Sequence, residues 1–231
     1  MIRNFRLMTL MGIKPKTLIH VGAHLGQDNH QYELLGVQEI FWCEADPVCT
    51  SFIRAKYPRS KVVEGVFWSE AGVIRDFWIM QDRAQNSLFN PKMEVGKLDS
   101  IKVSTTTLDS EFANIKFELP LMMVLDVQGS ELEVLRGAIQ ILPRVDYLVC
   151  EITELSRTSN FSTRLIDVEN ILKPFGFKKS IKRQSHSGEY YDQLFIKAEI
   201  FQTCRIILIE SAYRFFKGVR RLLIKLQVDK P

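Results

Sequence analysis

The stretch "LIHVGAHLGQDNHQYELLGVQEIFWCEAD", residues 18–46, decides how the chain folds. It opens as an apolar run, breaks at Gly22 and Gly26, turns amphipathic until Gly36, becomes apolar again over 39–44 and stops at Glu44. Short apolar runs bounded by turn residues read as buried strands, and a glycine after an amphipathic segment reads as a helix end. The spacing therefore predicts strand, glycine turn, helix, strand.

The rest of the chain continues that alternation. Strands are expected at 17–22, 39–44, 61–69, 119–127 and 145–152, a strand running into a short helix over 101–112, and helices at 28–36, 47–57, 130–143 and 163–176. Pro47 suits a first helical position, and Ser130 with Glu133 has the form of a capping box. Residues 73–90 read as an excursion of short strands or loop. "FKKSIKR" and "YYDQLFIK" close the body as an antiparallel pair. Strands apolar on both alternating faces need cover on both sides, which is the mark of a largely parallel sheet between helix layers. The fold class is α/β with a mixed sheet.

At 231 residues, 46% hydrophobic and 25% charged, the chain suits one ordinary globular domain. No apolar run is long enough for a membrane span. The first residues, "MIRNFRLMTLMGIKPK", lack the apolar core and small-residue cleavage site of a secretory signal. The cysteines at 43, 49, 150 and 204 form no CxxC pair, so reduced thiols in a cytoplasmic protein are expected. The net charge of +4 is uneven: residues 200–231 hold seven Lys and Arg against Glu210 and Asp229. We divide the chain into a body, 1–199, and a basic tail, 200–231.

In such sheets ligands bind beyond the carboxyl ends of the strands. There stand Gly22 to Gly26, Glu44, Val66 and Phe67, Asp126 and Glu151. Glycines permit a tight turn and close backbone approach, and an acid at the second strand end grips ribose hydroxyls. A nucleoside-bearing cofactor is implied. The dinucleotide fingerprint needs a glycine where His24 stands, so a pyrophosphate is disfavoured and S-adenosyl-L-methionine, which has none, fits better. Tyr57 and Lys61 have a dehydrogenase-like spacing, but Pro58 breaks the helix that would present both. Asp126, Glu131 and Glu151 suit hard oxygen ligation, yet their spacing does not require a metal, and none is assigned.

The pieces "HVGAHLGQD", "FWCEADP", "VFWSEAG", "NSLF", "TTTLD", "LDVQGSELEVLRGA" and "DQLFIK" resemble, in order and spacing, the FkbM-type family of S-adenosylmethionine-dependent methyltransferases across about 17–198. In that family's pattern V-D-V-G-A-N-x-G, His20 and His24 take the places of Asp and Asn, and Gln128 stands where Glu is common. The resemblance implies a Rossmann-like class I methyltransferase fold with about seven strands. It implies that Gly22, Ala23, His24 and Gly26 contact the methionine end of the cofactor, Glu44 the ribose, and Val66 and Phe67 the adenine. Asp126 would lie beside the reactive methyl. The expected reaction is O-methylation of a saccharide, glycan precursor or related small molecule.

Asp126 is the first candidate base and Glu131 the second, each near the start of the helix read from residue 130. His20 is expected in the core, His30 on the surface and His186 in a polar loop; residues 73–100 are expected to wall the acceptor pocket. Two other classes stand open: an NAD-dependent or nucleotide-sugar oxidoreductase, and a non-catalytic scaffold. Calorimetry with S-adenosylmethionine and with NAD separates all three.

Over 205–226 a helical wheel places Leu208, Ile209, Ala212, Phe216, Val219, Leu223 and Leu226 on one face, and Arg214, Lys217, Arg221 and Lys225 on the other. This C-terminal amphipathic helix suits docking or self-association, or peripheral contact with the inner membrane. Nucleic acid is not expected, because the basic residues do not continue onto the body.

Overall fold

The structure, a computed structural model, describes residues 8–9, 12–89, 97–154, 162–184 and 190–201. His186 and the tail beyond 201, including the helix read at 205–226, lie outside the described residues. Strands β1 (Thr17–Val21), β2 (Glu39–Glu44), β3 (Lys61–Glu64), β7 (Leu121–Leu125), β8 (Tyr147–Ile152), β9 (Phe177–Gln184) and β10 (Tyr191–Lys197) form one sheet in the order β3-β2-β1-β7-β8-β10-β9. The first five run parallel, while β10 inserts antiparallel between β8 and β9. This is the Rossmann-like, seven-stranded mixed sheet expected from the sequence. A smaller sheet, β4-β6-β5, is made from β4 (Val66–Phe67), β5 (Ile74–Met80) and β6 (Lys97–Thr106).

Alternation along the central strands sorts the core into two layers. Ile19, Val21, Leu121, Met123 and Leu125 join the cluster on one face, with Val134, Leu135, Val168 and Leu172. Leu18, Met122 and Val124 join the other, with Tyr32, Trp42 and Ile53. Each fully buried aliphatic contributes about 1.5–3 kcal/mol, which explains why β1 and β7 are apolar at every position but His20 and Thr17. The first layer is covered by α3 (Leu108–Phe112), α4 (Glu131–Arg136) and α5 (Leu165–Leu172), the second by α1 (Asn29–Leu35) and α2 (Pro47–Lys56). Gly36 ends α1 with φ 85°, and Asp46 caps α2 by accepting from the Val48 N–H at 2.8 Å. A last short helix, α6 (Ala198–Phe201), follows β10. No helix among the described residues is long and apolar enough to cross a membrane.

Two elements differ from the sequence reading. The third strand is not continuous over 61–69: it divides at Gly65, with β3 pairing to β2 and β4 pairing to β6. The strong helix read over 130–143 ends at Arg136. Ser130 makes no capping bond, so the capping box with Glu133 does not form. Beyond the helix, the Gly137 carbonyl is taken by the Asp109 N–H at 2.9 Å. The Asp109 carboxylate in turn accepts from the Gln140 and Ile141 N–H groups, at 2.9 to 3.0 Å. The segment beyond the helix thus shares its backbone groups between local turn bonds, such as Leu142 N–H to the Ala138 carbonyl at 2.9 Å, and α3.

Candidate active site

The ends of β1, β2 and β7 open onto a cleft. Gly22, His24, Glu44, Val66, Phe67 and Asp126 all line it, as do Gln128 and Ser130. Strands too apolar to end anywhere but inside the sheet thus deliver their first polar residues to one rim.

The floor is built around Gly22, whose φ is 83°. A Cβ there would lie 1.8 Å from the Asp126 carbonyl oxygen, so only glycine lets the first turn pass this close to the end of β7. His24 also holds a positive φ, 49°, which points its N–H at Glu44 Oε2, 2.7 Å away. Glu44 Oε1 accepts from the Ala45 and Asp46 N–H groups at 2.8 Å each. Burial pushes the Glu44 pKa up, while these backbone donors hold it back. A carboxylate offers about four lone-pair sites. Three are in use, leaving capacity for a hydroxyl donor.

Ala23 and Gly26 do not reach the cleft. Ala23 is fully buried in the second core layer. Gly26 is buried under Tyr57, whose ring would lie 2.8 Å from an added Cβ and whose OH donates to the Gly26 carbonyl at 3.0 Å. Tyr57 therefore braces the glycine turn. His20 is a core residue: its Nδ1 meets the Tyr32 OH at 3.1 Å, and burial lowers its pKa to about 3, so the ring is neutral. His30 is exposed.

Asp126 ends β7 and sits against a group of acids. Its Oδ1 accepts from the Gln128 side-chain amide at 2.8 Å, and the same nitrogen lies 3.4 Å from Glu151 Oε2. Burial first, then Glu131 and Asp192, push the Asp126 pKa up to about 7, against the Gln128 bond. Glu151 is raised as well, by burial and then by Asp126. Glu131, the second candidate base, stands near Asp126 but does not line the cleft. It is 1% exposed, takes the Thr163 hydroxyl at 2.5 Å, and accepts from the Val127 and Gly129 N–H groups at 3.0 and 3.2 Å. It holds the turn that presents Asp126, a positioning task that its place at the helix start could not distinguish from catalysis. Among the described residues no group of three or more His, Cys, Asp or Glu side chains is set to hold a metal ion.

Strand β5 and the segment after it supply one wall, with Phe77 from the strand and Arg83, Ala84, Asn86, Ser87 and Leu88 beyond it. Two anchors fix it. Arg83 pairs with Asp46, which also accepts from the Asn86 amide at 2.9 Å. The Ser87 hydroxyl donates to the Gln128 carbonyl at 3.0 Å. Asp46 and Arg83 escaped the sequence reading because 37 positions separate them. The local signal there was Pro47, which marked a first helical position and said nothing of Arg83.

These features suit an adenosyl cofactor: a carboxylate with spare acceptor capacity at the second strand end, and a floor with no room for a side chain. The Ser130 hydroxyl, buried and without a partner, lines the cleft as well. Among the solved structures similar to the chain are the following three. An O-methyltransferase from Bacillus cereus in complex with SAH has 11% identity and a TM-score of 0.49, over 84% of this chain and 79% of that one. The ribosomal protein L11 methylase from Lactobacillus delbrueckii subsp. bulgaricus has 11% identity and a TM-score of 0.47, over 83% and 76%. Magnesium protoporphyrin IX methyltransferase from Synechocystis PCC 6803, with bound SAH, has 9% identity and a TM-score of 0.47, over 84% and 80%. No curated protein matches the chain. The family model described as the methyltransferase FkbM domain matches residues 20–179, from inside β1 to the start of β9. The chain belongs to the FkbM methyltransferase family and is an S-adenosylmethionine-dependent methyltransferase.

Proposed function

We propose that the chain methylates a hydroxyl oxygen on a saccharide, a glycan precursor or a related small polyol, with Asp126 as the general base. The observation that carries this reading is the Asp126 carboxylate at the rim of the cleft, raised to about 7 by burial and by its acidic neighbours. A base poised near neutral pH can take a proton from a hydroxyl as the oxygen acquires positive charge in the transition state. Bound S-adenosylmethionine supplies an electrophilic methyl on a sulfonium leaving group. The protein's tasks are alignment and proton removal. Fixed near-attack geometry contributes about 7–11 kcal/mol, and a positioned base about 10²–10⁴-fold. In this reading Glu44 holds the ribose, the Gly22–His24 turn the amino-acid end, and Val66 and Phe67 the adenine.

The test is to incubate the protein with methyl-labelled S-adenosylmethionine and extracts of cell glycans, lipids and small polyols, and to identify the labelled product. A methyl ether on a sugar carbon supports the reading. Label found on nitrogen, carbon or a carboxylate overturns it.

A further inference from the structure

Gln128 is held in a conformation that needs a reason. Its φ is 52°, a left-handed backbone that side-chain-bearing residues other than Asn and Asp seldom adopt. Both ends of the residue are engaged. Its carbonyl accepts from the Ser87 hydroxyl at 3.0 Å, tying it to the wall of the cleft. Its side-chain amide carries two hydrogens on one nitrogen. That nitrogen lies 2.8 Å from Asp126 Oδ1 and 3.4 Å from Glu151 Oε2, so one hydrogen serves each carboxylate. The left-handed turn is what brings the side chain back over β7 and β8 instead of out along α4.

We propose that Gln128 is a positioning residue: anchored to the wall through Ser87, it aims its amide at both Asp126 and Glu151 and so bridges the two carboxylates, with Asp126 at the cleft. This rests on the reading of Asp126 as the proton acceptor. The acids around the pair come from every neighbouring element. Glu131 approaches from α4, and Asp192 from β10, where it stands opposite Glu151 in register. Tyr32 approaches from α1, its own pKa raised by burial and then by nearby acids, among them Asp126 and Asp192. In this company a neutral amide does what another acid could not. It donates to the ionised form of Asp126 without adding repulsion, and burial and the Asp126 charge keep the proton on Glu151.

The experiment uses the full chain with ¹³C-labelled Asp and Glu carboxyls, saturated with S-adenosylhomocysteine, and follows the Asp126 carbon as pH is varied, with Asp126→Asn for assignment. Gln128→Glu removes the donor and adds a charge. The Asp126 midpoint should rise by about one pH unit or more. Gln128→Gly removes the donor alone, and should raise it by less. Glycine is at ease at this φ, so this variant keeps the fold. A midpoint that stays put in Gln128→Glu, or moves equally in both variants, overturns the inference. Failure of the wild-type chain to bind S-adenosylhomocysteine overturns the placement of the cofactor instead, so the two failures are distinct.

Discussion

Glu44→Gln removes a charge while keeping the volume, and its effects on stability and on affinity separate. The carboxylate accepts at 2.7 Å from His24 and at 2.8 Å from both Ala45 and Asp46. A carboxamide has a single oxygen. Set to serve Ala45 and Asp46, it turns its own N–H₂ toward the His24 N–H, donor against donor. An orphaned buried donor costs about 1–3 kcal/mol. Against this, burial raises the Glu44 pKa despite three backbone donors, so the site disfavours the charge and a neutral side chain recovers part of the loss. Folding stability should therefore fall by less than the orphaned donor alone implies. Affinity responds to the charge itself. A hydrogen bond to a charged group is worth about 1.5–3 kcal/mol and a neutral one about 0.5–1.5, a difference of about 1 kcal/mol or slightly more. For one ribose hydroxyl on the remaining lone pair, the Kd for S-adenosylmethionine should rise about five- to tenfold. Calorimetric titration and thermal unfolding of wild type and variant measure the two quantities. A Glu44→Gln protein that binds S-adenosylmethionine as tightly as wild type refutes the placement of the ribose on Glu44.

Asp126→Asn should cut turnover by about 10²–10⁴-fold while S-adenosylmethionine affinity persists, and the wild-type rate should climb with pH through about 7 as Asp126 ionises. The same shift has a stability consequence. The folded pKa is raised above the ordinary 3.8, so the contribution is fully present below 3.8 and is lost as pH rises through about 7. Asn at 126 should flatten the decline of Tm over that window. Gly22→Ala meets the Asp126 carbonyl at 1.8 Å, whereas Gly72→Ala, at φ 79°, meets nothing within 4 Å. Gly72→Ala should cost only the left-handed backbone, about 1–2 kcal/mol, and Gly22→Ala far more, as judged by urea unfolding. Arg83→Ala leaves Asp46, 1% exposed, with Asn86 as its remaining side-chain donor. It should loosen the wall and raise the Kd for S-adenosylmethionine with little change in kcat; a drop in kcat at unchanged Kd would place Arg83 elsewhere in the reaction.

The candidate site was legible where chemistry and local pattern coincide. The glycine turn after β1, the acid closing β2 and the aspartate closing β7 each follow an apolar run that can only be a buried strand, so their common rim follows from the topology of a parallel sheet. Ala23, Gly26 and Glu131 carried the same local signals, yet they point elsewhere. Their direction depends on partners brought from a distance: the second core layer, Tyr57 and Thr163.

The sequence by itself determined the alternation of strands and helices, the two-faced core and the edge where polar residues gather, because periodicity and turn chemistry act over a few residues. Tertiary structure decided the rest. Contacts between distant segments split the third strand at Gly65, ended α4 at Arg136 through Asp109, tied Asp46 to Arg83, and set Gln128 between Asp126 and Glu151. Those arrangements are fixed by close approach of backbones and by shared hydrogen bonds, and neither leaves a mark in the order of neighbouring residues.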